Sequence, residues 1–98
     1  MFTTPSCGWV CLIIDDFKDR ASYLTSVPNN CLDAFIFGIE NYLPASVEFD
    51  AEGWNYILVS TWYRSYIISE KDTEELFVSD KGIVELAKEL REDIRRDF

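Results

Sequence analysis

The chain has 98 residues, 18 Asp and Glu against 9 Lys and Arg, a net charge of −9 and no histidine. That length suits one domain with its own core, and the charge argues against gripping nucleic-acid phosphates or anionic lipid directly. The missing histidines remove the usual general base, the commonest metal ligand and every Ser-His or Cys-His nucleophile pair.

Hydrophobic residues make up 48% and aromatics 15%, too apolar for a disordered acidic tail. No apolar run approaches the ~18 residues of a membrane span. The N-terminus has no basic region, and the apolar stretch 9–14 is too short for a signal peptide, so a soluble cytoplasmic protein is expected. Three cysteines, Cys7, Cys11 and Cys31, are an odd count that fits a reducing compartment better than a disulfide framework.

In chain order, residues 1–7 read as a loose terminus within one domain spanning 1–98. Trp9 to Ile14 is a continuous apolar run between Gly8 and Asp15-Asp16, expected as a central strand buried on both faces. Segment 15–27 fits two readings: a short helix, from the spacing of Phe17, Ala21 and Leu24, or a strand from Ser22 to Val27. The helix is preferred. A clearer helix opens at Pro28-Asn29-Asn30. Its stripe is Leu32, Phe35, Ile36, Ile39 and Leu43, with an asparagine as cap and Pro44 as stop.

Val47, Phe49 and Ala51 alternate with Glu48, Asp50 and Glu52, a strand with one acidic face. After a turn at Glu52-Gly53, Trp54 to Ser60 and Tyr63 to Ser69 are strands rich in aromatic and β-branched residues. Residues 71–74 form a polar hairpin loop and Glu75 to Val78 a short strand. Ser79-Asp80 caps a last helix, whose apolar stripe is Ile83, Ala87, Leu90, Ile94 and Phe98. The order is β-α-β-β-β-β-α. The expected fold is α+β: a mostly antiparallel sheet of four to five strands with two or three helices packed on one face.

The charge is unevenly spread. Residues 44–79 hold seven acids and two bases, whereas residues 80–98 hold six acids and five bases, a nearly neutral salt-bridged helix. Glu48, Asp50 and Glu52 would lie roughly 6.5–7 Å apart along one face of a strand. Phosphates of a DNA strand repeat on a broadly similar scale. Trp54, Tyr63 and Tyr66 lie close by in sequence, as do Glu70, Asp72 and Glu74. Inward and outward positions alternate, so a run this aromatic leaves one or two rings exposed. Aromatic anchors beside carboxylates suit an interface with a basic partner. The plainer reading is that like charges keep an edge strand soluble and unpaired.

Other chemistry finds little footing. Glu48-x-Asp50-x-Glu52-Gly53 starts like a calcium loop, but the twelfth position is Val59. Asp15, Asp16 and Asp19 could hold a cation, yet acids simply favour a helix N-terminus. Cys7-x3-Cys11 is poorly spaced for zinc. Cys31 is expected as a buried small hydrophobe. The glycines are scattered, with no phosphate-binding loop, and no carboxylate pair stands out. No cofactor, metal or catalytic residue is assigned, and the chain is read as a non-enzyme.

In size, charge and aromatic-acid texture the whole chain resembles bacterial immunity proteins of toxin–immunity pairs, including those of contact-dependent inhibition and polymorphic toxin systems. The carboxylates of 48–52 and 70–75, interleaved with Trp54, Tyr63 and Tyr66, carry the resemblance. It implies an antitoxin that neutralises a basic cognate toxin, a nuclease above all, without activity of its own. Immunity families differ in fold, so no site residue transfers by position. The rivals are a homo-oligomeric structural or regulatory domain, a DNA mimic that occupies a host DNA-binding protein, and, last, an enzyme.

Overall fold

The computed structural model describes residues 1–23 and 26–97, and these form an α+β fold with two antiparallel sheets and two helices. The apolar run at the start is strand β1 (Trp9–Ile14), with Val10, Leu12 and Ile14 buried. Its partner is β2 (Phe17–Ser22), paired antiparallel from Ile14↔Phe17 to Trp9↔Ser22. The expected helix over 15–27 is therefore a strand. Ala21 turns inward while Lys18 and Arg20 face solvent, a period of two. A two-residue turn closes the hairpin, with Asp15 in the left-handed region at φ 52°. Leu24, which carried part of the helical spacing, lies outside the described residues.

The first residues are tied down rather than loose. The Ile13 amide donates to the Met1 carbonyl at 2.7 Å, and the Thr3 amide to the Cys11 carbonyl at 3.0 Å. β1 thus has backbone neighbours on both sides.

Helix α1 (Val27–Asn41) begins earlier than expected, with its cap three residues before Asn29 and four before Asn30, the two expected cap candidates. Ser26 occupies the cap position without capping the backbone through its side chain, Pro28 sits in the first turn, where its missing N–H is harmless, and the Asn29 side-chain Nδ2 donates to the Ser26 hydroxyl at 2.6 Å. The helix ends before Pro44, at Tyr42, which turns left-handed at φ 57° and returns its N–H to the Gly38 carbonyl. The fully buried face is Pro28, Cys31, Phe35 and Gly38; of the expected stripe Phe35 is buried and Leu32 and Ile39 pack partly against the core, while Ile36 and Leu43 are exposed. Apolar residues surround most of this helix, so spacing alone could not choose the face.

A four-stranded meander follows: β3 (Ala45–Asp50), β4 (Asn55–Ser60), β5 (Ser65–Ser69) and β6 (Glu75–Ser79), in that order across the sheet. β3 stops short of Glu52, and β4 and β5 start one and two residues later than expected. A register shift interrupts β5–β6 pairing near Ile68. Helix α2 (Ile83–Asp97) completes the chain, with Arg95 and Arg96 complementing its dipole. It starts too late for Ser79-Asp80 to cap it. Ser79 ends β6, and its hydroxyl donates to the Asp15 carboxylate at 2.6 Å. Phe98, expected to extend the α2 stripe, lies outside the described residues.

The core collects on one face of the four-stranded sheet. Ala45, Phe49, Tyr56, Leu58 and Ile67 point into it and meet Leu12 and Ile14 from the hairpin, Phe35 from α1, and Leu86 and Leu90 from α2. Phe17 packs on Tyr56 at 5.6 Å and Phe77 at 5.8 Å between ring centres, which lays the hairpin across this inner face. Asp93, buried in α2, accepts the Phe2 amide at 2.7 Å and pairs with the Met1 ammonium at 2.8 Å, locking the start of the chain onto the last helix.

Gly82 joins β6 to α2 where the backbone passes the 61–64 loop. A Cβ there would lie 2.2 Å from the Trp62 carbonyl oxygen, far inside contact distance. Gly82→Ala is expected to destabilise the fold by about 1–3 kcal/mol through overpacking against backbone. Urea denaturation measures it; an unchanged midpoint would contradict this packing.

Candidate functional site

The outer face of the four-stranded sheet follows from the same alternation that builds the core. Where Tyr56, Leu58 and Ile67 turn inward, Ile57, Val59, Tyr66 and Ile68 turn outward. These four are half-buried by their own neighbours, yet none is among the residues packed against the core. On β6, Leu76 and Val78 are exposed. Cross-strand register sets two rows: Ser46, Val59, Tyr66 and Val78 in one, Glu48, Ile57, Ile68 and Glu75 in the other. Side chains this close across strands form one continuous apolar patch, flanked by Glu48 on one edge and Glu75 on the other.

One end of this sheet is acidic. The turn 51–54 and the loop 70–74 lie side by side there, because the Glu70 amide donates to the Asn55 carbonyl at 3.2 Å. Asp50, Glu52, Glu70, Asp72 and Glu74 gather at that end, all exposed. Some shape the loops: Asp50 accepts the Glu52 amide at 2.9 Å and Asp72 the Glu74 amide at 3.1 Å. Glu48 accepts the Asn55 side-chain amide at 2.9 Å.

The three-carboxylate row is cut to two. Glu48 and Asp50 share the outer face of β3, but Glu52 lies in the turn at φ 61°. It leans towards the hairpin, 3.8 Å from the Arg20 guanidinium. Trp54 keeps the parity of Tyr56 and packs on its ring at 5.1 Å, so it covers the rim of the core rather than the outer face. Tyr63 is 84% exposed but sits at the opposite end, in the 61–64 loop. Thr61 ties that loop, its amide donating to the Arg64 carbonyl at 2.8 Å. Beside it Trp62 stacks on Tyr42 at 6.2 Å, an aromatic pair joining α1 to the sheet. Of the expected rings only Tyr66 lies on the face itself.

The aliphatic half of the patch was missed from sequence. Composition marks Ile57, Val59, Ile68, Leu76 and Val78 as strand formers without marking their common face as open. The signal was present in the element count: two helices packed on one face leave the other face to whatever its alternate residues are.

The remaining titratable groups serve the fold. Burial pushes the Cys31 thiol well above its ordinary range, which keeps it un-ionised and unreactive. Burial also raises the Tyr56 phenol, with the Asp19 and Cys11 charges adding to it; its hydroxyl donates to the Arg20 carbonyl at 3.2 Å. No group of three or more metal-ligand side chains occurs among the described residues. Also among them, no helix is long and apolar enough to cross a membrane.

Asp15 is set apart from the other carboxylates. The Ser79 hydroxyl bond, and then Lys81 at 3.5 Å, hold its carboxyl below the ordinary aspartate value. A lowered carboxylate stabilises the fold above its unfolded value and loses that contribution as pH falls through the folded one. Asp15→Asn should therefore lower stability at neutral pH, by up to about 1 kcal/mol given the solvent exposure of the pair. The gap to the parent should close as pH drops below the carboxylate range. Urea midpoints across pH check this; a gap that persists in acid would contradict it.

Compared with protein-family models, curated proteins and solved structures, the chain matches none.

Proposed function

We propose that this chain is an acidic inhibitor that neutralises a basic cognate toxin, a nuclease above all, by covering it with the outer face of the four-stranded sheet. The observation that carries the reading is the uncovered face: aliphatic side chains and Tyr66 in the middle, a carboxylate on each edge and more around one end. Binding surfaces divide labour in this way. A desolvated apolar centre sets how long a complex lasts, and the charged rim sets how fast it forms. A nuclease is basic where it holds phosphates, so an acidic cognate gains steered association.

The apolar centre also separates this reading from a DNA mimic. A mimic relies on charge and loses its hold steeply with salt. Six apolar side chains on the face favour a single partner held at moderate salt. A second copy of the chain fits less well. Pairing this face with itself would bring Glu48, Glu75 and the acidic loops of two chains together.

The reading expects an adjacent reading frame that encodes a basic nuclease, and equimolar chain should abolish that activity. Replacing the exposed Glu70, Glu74 and Glu75 with Lys should slow association about tenfold at low salt, with an unchanged urea midpoint. Tyr66→Asp should instead speed dissociation. Stopped-flow binding reads both rates. Undiminished nuclease activity, or an association rate untouched by charge reversal, would overturn the reading.

A further inference from the structure

The helical side of the molecule carries a second feature, independent of the sheet. Gly38 meets Ile83 where α1 ends and α2 begins, and from there the helices run back along each other. Between them lies a groove of about 410 Å³. Leu32, Ile36 and Ile39 of α1 form one wall, and Val84 and Ala87 of α2 the other. The spacings, 32 to 39 and 84 to 91, follow one stripe on each helix for about two turns, roughly 10 Å.

The charge in this groove opposes that of the chain. Among the described residues its charged lining groups are Lys88 and Arg91 alone. Neither forms an ion pair among the described residues, although the protein is strongly acidic and pairs Lys81, Arg95 and Arg96 with carboxylates. Lys88 and Arg91 stand one turn apart on α2, so both can reach one anion at the groove wall. Among the described residues the lining has no aromatic ring for stacking a base, and no neutral polar side chain for a sugar.

We propose that the groove between α1 and α2 binds an anionic aliphatic amphiphile, a medium-chain alkyl carboxylate, with the chain along the helices and the carboxylate on Lys88 and Arg91. The volume lies within the usual range of small-molecule sites, about 300–1,000 Å³. Seven lining side chains are too few for a stable protein partner, which needs a patch of about 20 residues a side. Guanidinium geometry suits a carboxylate, which it grips with two parallel hydrogen bonds.

The test is calorimetric titration of the full chain with dodecanoate below its micellar concentration, against dodecyltrimethylammonium. The two share a tail, and a chain of net charge −9 should favour the cation unless the local pair decides. Expected is saturable binding of one dodecanoate per chain, at least tenfold tighter than the cation. Affinity should change little from dodecanoate to octanoate, whose tail already spans the groove of roughly 10 Å, and fall below octanoate by up to roughly fourfold per methylene. Arg91→Glu should weaken dodecanoate at least tenfold, while Lys71→Glu, the same charge change in the distant 70–74 loop, should not. Both residues are exposed, so both variants keep the fold. Ile36→Gln, also exposed, should shorten the chain-length dependence. Non-saturable uptake, equal or tighter binding of the cation, or equal effects of Arg91→Glu and Lys71→Glu would each overturn the proposal.

Discussion

Tyr56, Leu58 and Ile67 point to the same side of the four-stranded sheet, and the rest of the chain is gathered there. The hairpin brings Leu12, Ile14 and Phe17, α1 brings Phe35, α2 brings Leu86 and Leu90, and Phe2 reaches Phe49 at 6.0 Å. A meander of short strands has two faces, and two helices with one hairpin are enough to cover one. That constraint decides the location of everything else. Inner residues are large and apolar or, where strands meet the β4–β5 loop, small hydroxyls. The Ser65 hydroxyl donates to the Lys81 carbonyl at 2.7 Å and lies 3.0 Å from that of Ser60. Outer residues on the two central strands stay apolar as well, and nothing in the described chain lies over them.

The division of charge follows from the same geometry. Acids that support the fold sit where strands and helices join: Asp15 beneath Ser79 and Lys81, Asp93 beneath the first two residues. Exposed acids collect at the free end of the sheet, beside the uncovered face, where, among the described residues, only Asp50 and Asp72 bond loop backbone. The bases concentrate on α2 and the residues just before it, where Lys81, Arg95 and Arg96 have carboxylate partners and, among the described residues, Lys88 and Arg91 form no ion pair. The chain thus presents a carboxylate-edged apolar sheet on one side and a small cation-lined groove on the other. These are two surfaces of opposite chemistry on one small fold.

Most of the element order was legible in the sequence because period-two and period-3.6 patterns are strong from Val47 onward. The failures have separate physical causes. Phe17, Ala21 and Leu24 mimic a helical spacing, but the two-residue turn at 15–16 brings Phe17 opposite Ile14, and pairing with β1 prevails over local spacing. In α1, Ile36, Phe37 and Leu43 are as apolar as the residues that are buried, so the packed face was set by tertiary contact at Gly38. Of the candidate site, the outward Glu48, Asp50 and Tyr66 and the acidic loop were legible from alternation and turn composition. Glu52, Trp54 and Tyr63 were misplaced because the turns consume residues that strand parity would have used. Glu52 turns towards Arg20, Trp54 shields Tyr56, and Tyr63 falls at the far end.

The one-sided sheet is tested most directly by denaturing two neighbouring variants in urea. Leu58→Asp places a carboxylate in the core, and Val59→Asp places one on the outer face. Leu58→Asp should fail to fold, since an unpaired charge cannot be buried there. Val59→Asp should unfold cooperatively with a loss of about 1 kcal/mol, the scale of strand propensity. A Val59→Asp chain as unfolded as Leu58→Asp would mean that the outer face is core, and the account would fail.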